Sequence, residues 1–144
     1  MGRRGRPGEG AGREGTIGAP RARPTARSRS RETKVVFHLD EDSGSRLTLA
    51  LNNIENLYKE IPPDQTDVRM VANGTAVRLF VAGQPEAERI SRLSAAGARF
   101  LLCRNSLGGL SVPRESLLGP CEIVPAGILE LVRLQQEGFA YVKP

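Results

Sequence analysis

One cysteine stands where a parallel α/β sheet would place a reactive group. Cys103 ends the apolar run Arg99–Cys103, and of the six residues that follow three are polar and two are glycines. This pattern predicts a buried strand that ends on a thiol and opens into a loop. Because chemistry in open parallel sheets gathers at the carboxyl ends of strands, Cys103 is a candidate nucleophile. The alternative is a small buried apolar side chain, as many free cysteines are.

Other titratable residues lie near the end of the first apolar run. His38 is the only histidine of the chain, and strand alternation places it on the same face as Val36. A core position and a general-base role both fit His38, because a base is defined by hydrogen-bond geometry that spacing does not show. The acidic residues 40–42 resemble a metal site, but the charge pattern at a helix N-terminus explains them better.

The sequence lacks the motifs of several common sites. No Gly-x-Gly-x-x-Gly follows the first strand and there is no Walker A sequence, which argues against nucleotide sites. Gly109 stands six residues after Cys103, where a phosphatase loop would have arginine. One histidine and two distant cysteines do not make a familiar zinc site. We therefore expect neither a metal nor a cofactor.

Charge divides the chain into two parts. Residues 1–33 contain nine Arg and three Glu, a net of +6, whereas residues 34–144 contain twelve Lys/Arg and thirteen Asp/Glu, a net of −1. The tail, 1–33, is rich in Arg, Gly, Pro and Ser, so we expect it to be disordered. A nucleic-acid arm and a transit peptide are alternatives to a solvated extension, which we favour because no amphipathic helical pattern is present. The near-neutral domain, 34–144, does not indicate nucleic-acid binding outside the tail.

The cellular compartment is predicted from the lengths of the apolar stretches and from the cysteines. No apolar stretch reaches the roughly 20 residues that a membrane span needs. The two cysteines come without a secretory signal, which predicts a cytoplasmic, reducing setting.

Strand and helix patterns alternate along residues 34–144. Strands are predicted at 34–39, 67–72, 98–103, 121–124 and 139–142. Helices are predicted at 44–60, 75–81, 85–96 and 125–137, with a single turn at 113–118. This alternation predicts an α/β fold: one doubly wound domain whose five-stranded, mostly parallel sheet has helices on both faces. The order 2-1-3-4-5 fits five strands, with its switch point between strands one and three.

That order makes a prediction about the site. It places Cys103 opposite residues 38–42. Because Cys121 begins its strand, it should lie at the opposite edge of the sheet, too far away for a disulfide. The residues that we expect to line the site around Cys103 are His38, Asp40, Asn73, Arg104, Asn105, Ser106 and Pro125.

Five blocks, in order, carry a resemblance to a known family. They are KVVFHLDED (34–42), LALNNIENLYKE (49–60), MVANG (70–74), RFLLCRNSL (99–107) and EIVPAGILELVRLQQEGFAYVKP (122–144). With them, residues 34–144 resemble the DsrE/DsrF-like family, also called YchN-like. The resemblance implies a compact α/β domain that forms homo-oligomers, often trimers or hexamers. In some members, the cysteine that matches Cys103 accepts and passes sulfur as a persulfide, together with partner proteins.

Two classes of function follow. The first is a sulfur-relay carrier or sulfurtransferase subunit that holds a persulfide on Cys103, without a cofactor and with a sulfur donor or acceptor protein as partner. In this class Arg104 and the amides that follow it stabilise the thiolate, while Asn105 and Ser106 bond the terminal sulfur. The second is a non-catalytic protein that uses the same cleft for a small ligand or for assembly. Whether the protein is an enzyme is left open, and RNA binding through the tail is a third, weaker class.

The last helix and strand are unusually apolar. The residues concerned are Ile128, Leu129, Leu131, Val132, Leu134, Phe139, Tyr141 and Val142. One core on one face of a sheet does not need so many, so we expect some of them to contact another subunit. The alternative is that all of them fill a single core.

Overall fold

Five short apolar segments form one parallel sheet in the computed structural model, which describes residues 33–144. The strands are Thr33–Leu39 (β1), Thr66–Ala72 (β2), Arg99–Cys103 (β3), Cys121–Val124 (β4) and Ala140–Val142 (β5). Every pairing between them is parallel. The predicted fold class is confirmed, and each strand end lies within one residue of its predicted position. The predicted disordered tail, apart from Thr33, lies outside the described residues.

The order of the strands differs from the predicted one. The sheet runs β4-β3-β2-β1-β5, so the predicted order 2-1-3-4-5 is wrong. Burial gives the physical reason, because Val68, Met70 and Val71 of β2 point to both faces and are all buried. Such a strand belongs at the centre of a sheet rather than at its edge. The two edges are instead taken by β4 and β5, which are short and partly exposed.

Within residues 33–144, four α-helices connect and cover the strands. They are Gly44–Glu60 (α1), Ala87–Ala96 (α2), Arg104–Gly109 (α3) and Gly127–Gln136 (α4), with 3₁₀ helices at Pro63–Gln65, Gly74–Phe80 and Arg114–Ser116. The bounds of α1 coincide with the prediction, since Ser43 caps its N-terminus by accepting a hydrogen bond from the Arg46 amide and two prolines follow its end. None of the helices within residues 33–144 is long and apolar enough to cross a membrane.

Two local predictions near Cys103 are corrected. The segment after Cys103 is the helix α3 rather than a loop, because Leu107 anchors it in the core and the two glycines fall only at its end. Pro125 does not open the last helix. That helix begins at Gly127, and Ala126 before it has extended backbone angles.

The sheet separates two apolar layers. The first layer lies under α1, α2 and α3 and includes the core residues Phe37, Leu51, Phe80, Ile90, Phe100 and Leu107. The second layer lies under α4 and consists of Val36, Val71, Leu101, Leu131, Leu134 and Phe139, with Val124 packed against them. The connections that leave the neighbouring strands β3 and β4 therefore enter opposite layers. In open α/β sheets such a point is where ligands bind, in the crevice at the carboxyl ends of the two strands.

Candidate functional site

Cys103 lies at this crevice. It is the last residue of β3, it pairs with Val124 of β4, and it is the N-cap residue of α3. Its side chain points into the second layer, toward the first residue of α4. Only 6% of the residue is exposed. The thiol therefore lies between the N-termini of two helices that belong to different layers.

Hydrogen-bond donors surround the sulfur. Burial raises the pKa of the Cys103 thiol, but the Ser106 hydroxyl and the backbone N–H groups of Gly127, Ser106 and Asn105 outweigh it and hold the pKa below its ordinary value. The side chain makes no capping hydrogen bond to α3. These donors therefore act mainly by stabilising the thiolate, a far stronger acceptor than the neutral thiol.

Gly127 allows α4 to come this close. A Cβ atom at position 127 would lie 3.0 Å from the Cβ of Asn73 and 3.3 Å from the Cβ of Cys103. Real Cβ atoms rarely approach so closely, so the absence of a side chain lets the helix N-terminus rest on the cysteine. Gly127 was not among the predicted site residues, although a glycine that opens a helix shortly after a strand is a known sign of close helix–sheet contact.

Gly74 makes a second close contact. Its φ is +57°, and a Cβ there would lie 2.9 Å from the carbonyl oxygen of Asp40. Its N–H donates a hydrogen bond of 2.8 Å to the hydroxyl of Ser106, the third residue of the helix that Cys103 caps. Gly74 was also missed, and its signal was its place directly after Asn73 at the end of a strand.

His38 is not a direct neighbour of Cys103. Because β2 lies between β1 and β3, the two residues are on strands roughly 10 Å apart. The Asn73 side-chain oxygen, at 2.8 Å, accepts a hydrogen bond from Nε2 of His38, and the Tyr141 hydroxyl donates to Nδ1 at 2.6 Å. The predicted placement of Cys103 opposite residues 38–42 is therefore wrong, and His38 is connected to the site only through Asn73.

The remaining predicted site residues, Asp40, Arg104 and Pro125, have other surroundings. Asp40 forms an ion pair of 2.5 Å with Lys143, which holds the pKa of its carboxyl below the usual range. Within residues 33–144 no group of three His, Cys, Asp or Glu side chains is placed to hold a metal ion. Arg104 is exposed, and its charge is not among the main causes that lower the pKa of Cys103. Pro125 is also exposed, two residues before Gly127.

Cys121 is the contrasting cysteine. It begins β4, pairs with Phe100 and packs against the first layer. It therefore lies at the N-terminal ends of the strands, whereas Cys103 lies at their carboxyl ends. Both cysteines are free. Burial raises the pKa of Cys121 to about 12. The chain thus contains one thiol whose surroundings favour the thiolate and one whose surroundings oppose it.

Comparison with known proteins agrees with this architecture. Residues 31–144 match the DsrE/DsrF-like family. The chain belongs to this family. Its structure is similar to that of MTH1491, a protein of unknown function from Methanobacterium thermoautotrophicum, with 32% identity and a TM-score of 0.74 over 78% of this chain and 100% of that one.

A second solved structure shares the fold of this DsrE-like protein. The ychN protein from E. coli is 18% identical, with a TM-score of 0.66 over 78% of this chain and 99% of that one. No curated protein matches the chain.

The exposed side of α4 forms an apolar surface. Of the apolar residues predicted there, Leu131, Leu134 and Phe139 are buried, whereas Ile128, Leu129, Val132 and Tyr141 are exposed, Ile128 by 66%. A groove of about 340 Å³ runs beside them, and His38 and Tyr141 form its polar end. The helix thus carries more apolar surface than its own core uses.

Proposed function

We propose that this DsrE-like protein carries sulfur as a persulfide on Cys103. The observation that supports this most is the pKa of the Cys103 thiol, held below its ordinary value by four hydrogen-bond donors although the residue is buried. Apolar surroundings raise the pKa of a cysteine and make it unreactive, and the pKa of the partly buried Cys121 is raised in this way. A buried cysteine with the opposite shift is suited to work as a nucleophile.

The proposed step is an exchange of sulfur between two thiols. The Cys103 thiolate attacks the outer sulfur of a donor persulfide, forms a new S–S bond and breaks the old one. The donor leaves as its own thiolate and takes up a proton from solvent, and Cys103 then carries the persulfide. The exchange needs no added oxidant or reductant. An acceptor thiolate takes the outer sulfur by the reverse step, with Cys103 as leaving group.

The same donors assist both directions of this exchange. A thiolate is the attacking group when sulfur arrives and the leaving group when sulfur departs, and leaving is faster for a thiol of lower pKa. The N–H groups of Asn105, Ser106 and Gly127 stabilise Cys103 in both roles. A sulfur donor or acceptor protein is the partner that this chemistry requires.

Intact mass spectrometry tests the proposal. After incubation with a low-molecular-weight persulfide and removal of the excess, the wild-type protein is expected to gain the mass of one sulfur atom. Cys121→Ser is the matched control and should gain the same mass, while Cys103→Ser should gain none. Equal uptake by Cys103→Ser, or none by the wild type, would contradict persulfide carriage. Binding of a small ligand or assembly would then be the better explanation of the crevice.

We also propose that the apolar surface of α4 contacts further copies of this chain. We expect light scattering at micromolar concentration to give a multiple of the monomer mass, in the range of a trimer to a hexamer. Val132→Glu should lower that mass, because the charge would be buried against apolar groups. Arg133→Glu, at an exposed position of the same helix that is already charged, is the control for the introduced charge. A monomer mass for the wild type would remove the assembly proposal.

A further inference from the structure

We propose that Gly74 positions the hydroxyl of Ser106 so that its single hydrogen is directed at the Cys103 sulfur. This inference rests on the proposed role of Cys103 and names the residue that controls one of its donors. Ser106 is the third residue of the helix that Cys103 caps, and its hydroxyl lowers the pKa of the thiol, whereas Gly74 acts only through Ser106 and is a positioning residue.

The hydrogen-bonding capacity of a serine hydroxyl gives the first step. A hydroxyl has one hydrogen to donate and two lone pairs that accept. The Gly74 N–H donates to the Ser106 oxygen at 2.8 Å and occupies one lone pair. The hydroxyl hydrogen must then point away from Gly74. It is free for the sulfur, and a hydroxyl that accepts one bond is a stronger donor in the next.

Helix geometry explains why Gly74 has this N–H to give. Gly74 is the first residue of the 3₁₀ helix Gly74–Phe80, and the first N–H groups of a helix have no partner inside it. Ser106 lies in the first turn of α3, where a serine otherwise tends to bond nearby backbone. The hydrogen bond between the two residues therefore gives the Gly74 N–H a partner. It also keeps the Ser106 hydroxyl from bonding to the nearby backbone.

Gly74 is held in place by a neighbour that a side chain would displace. Its φ of +57° disfavours other residues, and an added Cβ would stand 2.9 Å from the backbone oxygen of Asp40. Any side chain at position 74 must therefore shift this backbone. A shift of a few tenths of an ångström lengthens the hydrogen bond from the Gly74 N–H to the Ser106 hydroxyl. In this way the backbone conformation of Gly74 affects the donor that acts on the sulfur.

The test is made in a Cys121→Ser background, so that one thiol remains. The thiolate absorbance of Cys103 is titrated against pH, and its alkylation rate is measured over the same range. Ser106→Ala should raise the titration midpoint by about one pH unit, because a hydrogen bond to a charged group is lost. Ser106→Thr keeps the hydroxyl and should restore most of the shift. An unchanged midpoint in Ser106→Ala would overturn the proposal.

The part played by Gly74 is tested separately. Gly74→Ala, with Ser106 intact, should raise the midpoint, and the double variant should not exceed Ser106→Ala alone. If Gly74→Ala fails to fold, amide exchange of Gly74 replaces it, and that exchange should become at least several-fold faster in Ser106→Ala. A folded Gly74→Ala with the wild-type midpoint, or unchanged exchange, would overturn the role of Gly74. These titrations do not depend on persulfide uptake, so they remain decisive if the uptake experiment fails.

Discussion

Cys103 is expected to react with iodoacetamide at least about thirtyfold faster than Cys121 in the folded protein near pH 7.5. The pKa of Cys103 lies below its ordinary value, whereas that of Cys121 is about 12. An ordinary cysteine has a pKa of about 8.5, so the thiolate fractions of Cys103 and Cys121 differ by about a thousandfold or more. A thiolate of lower pKa is intrinsically less nucleophilic, which takes back about thirtyfold of that difference.

Solvent exposure favours the alkylation of Cys121 over that of Cys103, but it does not reverse the expected order of the two rates. Cys121 is the more exposed of the two residues, yet it gains no donor that would stabilise its charge. Peptide mapping after brief labelling measures both rates in one sample. The urea-unfolded chain is the control, and there the two rates should converge. Faster labelling of Cys121 in the folded protein would show that Cys103 is only a buried apolar side chain.

Gly127→Ala is expected to destabilise the fold by about 1–3 kcal/mol and to slow the alkylation of Cys103. The new methyl group would stand 3.0 Å from the Asn73 Cβ and 3.3 Å from the Cys103 Cβ. To relieve this contact, α4 must move away from the sheet, and its first N–H moves away from the sulfur. The Cys103 pKa should rise as a result. The sign is informative, because alanine otherwise stabilises helices relative to glycine by up to about 1 kcal/mol.

Gly44 offers a matched control for this substitution. It is likewise the first residue of a helix, and nothing lies within 4 Å of a Cβ added there. Gly44→Ala should therefore leave the free energy of unfolding unchanged or raise it slightly, and it should not affect Cys103. Urea denaturation and alkylation rates decide both variants. A Gly127→Ala protein as stable as the wild type would mean that the contact is easily relieved.

The sequence was sufficient for the elements with strong local signals. The helix α1 has a cap, helical spacing of leucines and a double proline at its end, and its bounds were predicted correctly. The order of the strands was not predicted correctly, because it depends on which strands bury both faces in the assembled sheet, and β2 is one of them. Local patterns establish that a strand exists, but not which neighbours it pairs with.

The site was predicted only in part, because local patterns do not show which strands are neighbours. Cys103 could be located, since the end of a strand before a polar segment is visible in the sequence. The partner crevice was assigned to β1 instead of β4 because it followed from the wrong strand order. The roles of Gly74 and Gly127 arise from contacts with residues more than 20 positions away, so their places at a strand end and a helix start suggest a close contact but do not identify the partner.

The arrangement of donors from two layers has a consequence for biosynthesis. α3 follows Cys103 directly, but Gly127 and the rest of α4 come later in the chain, and β5 closes the edge beside β1 only at the end. A nascent chain that has emerged as far as Cys103 carries the thiol without its complete set of donors. The pKa of Cys103 therefore reaches its folded value only after α4 has been translated and has packed on the sheet.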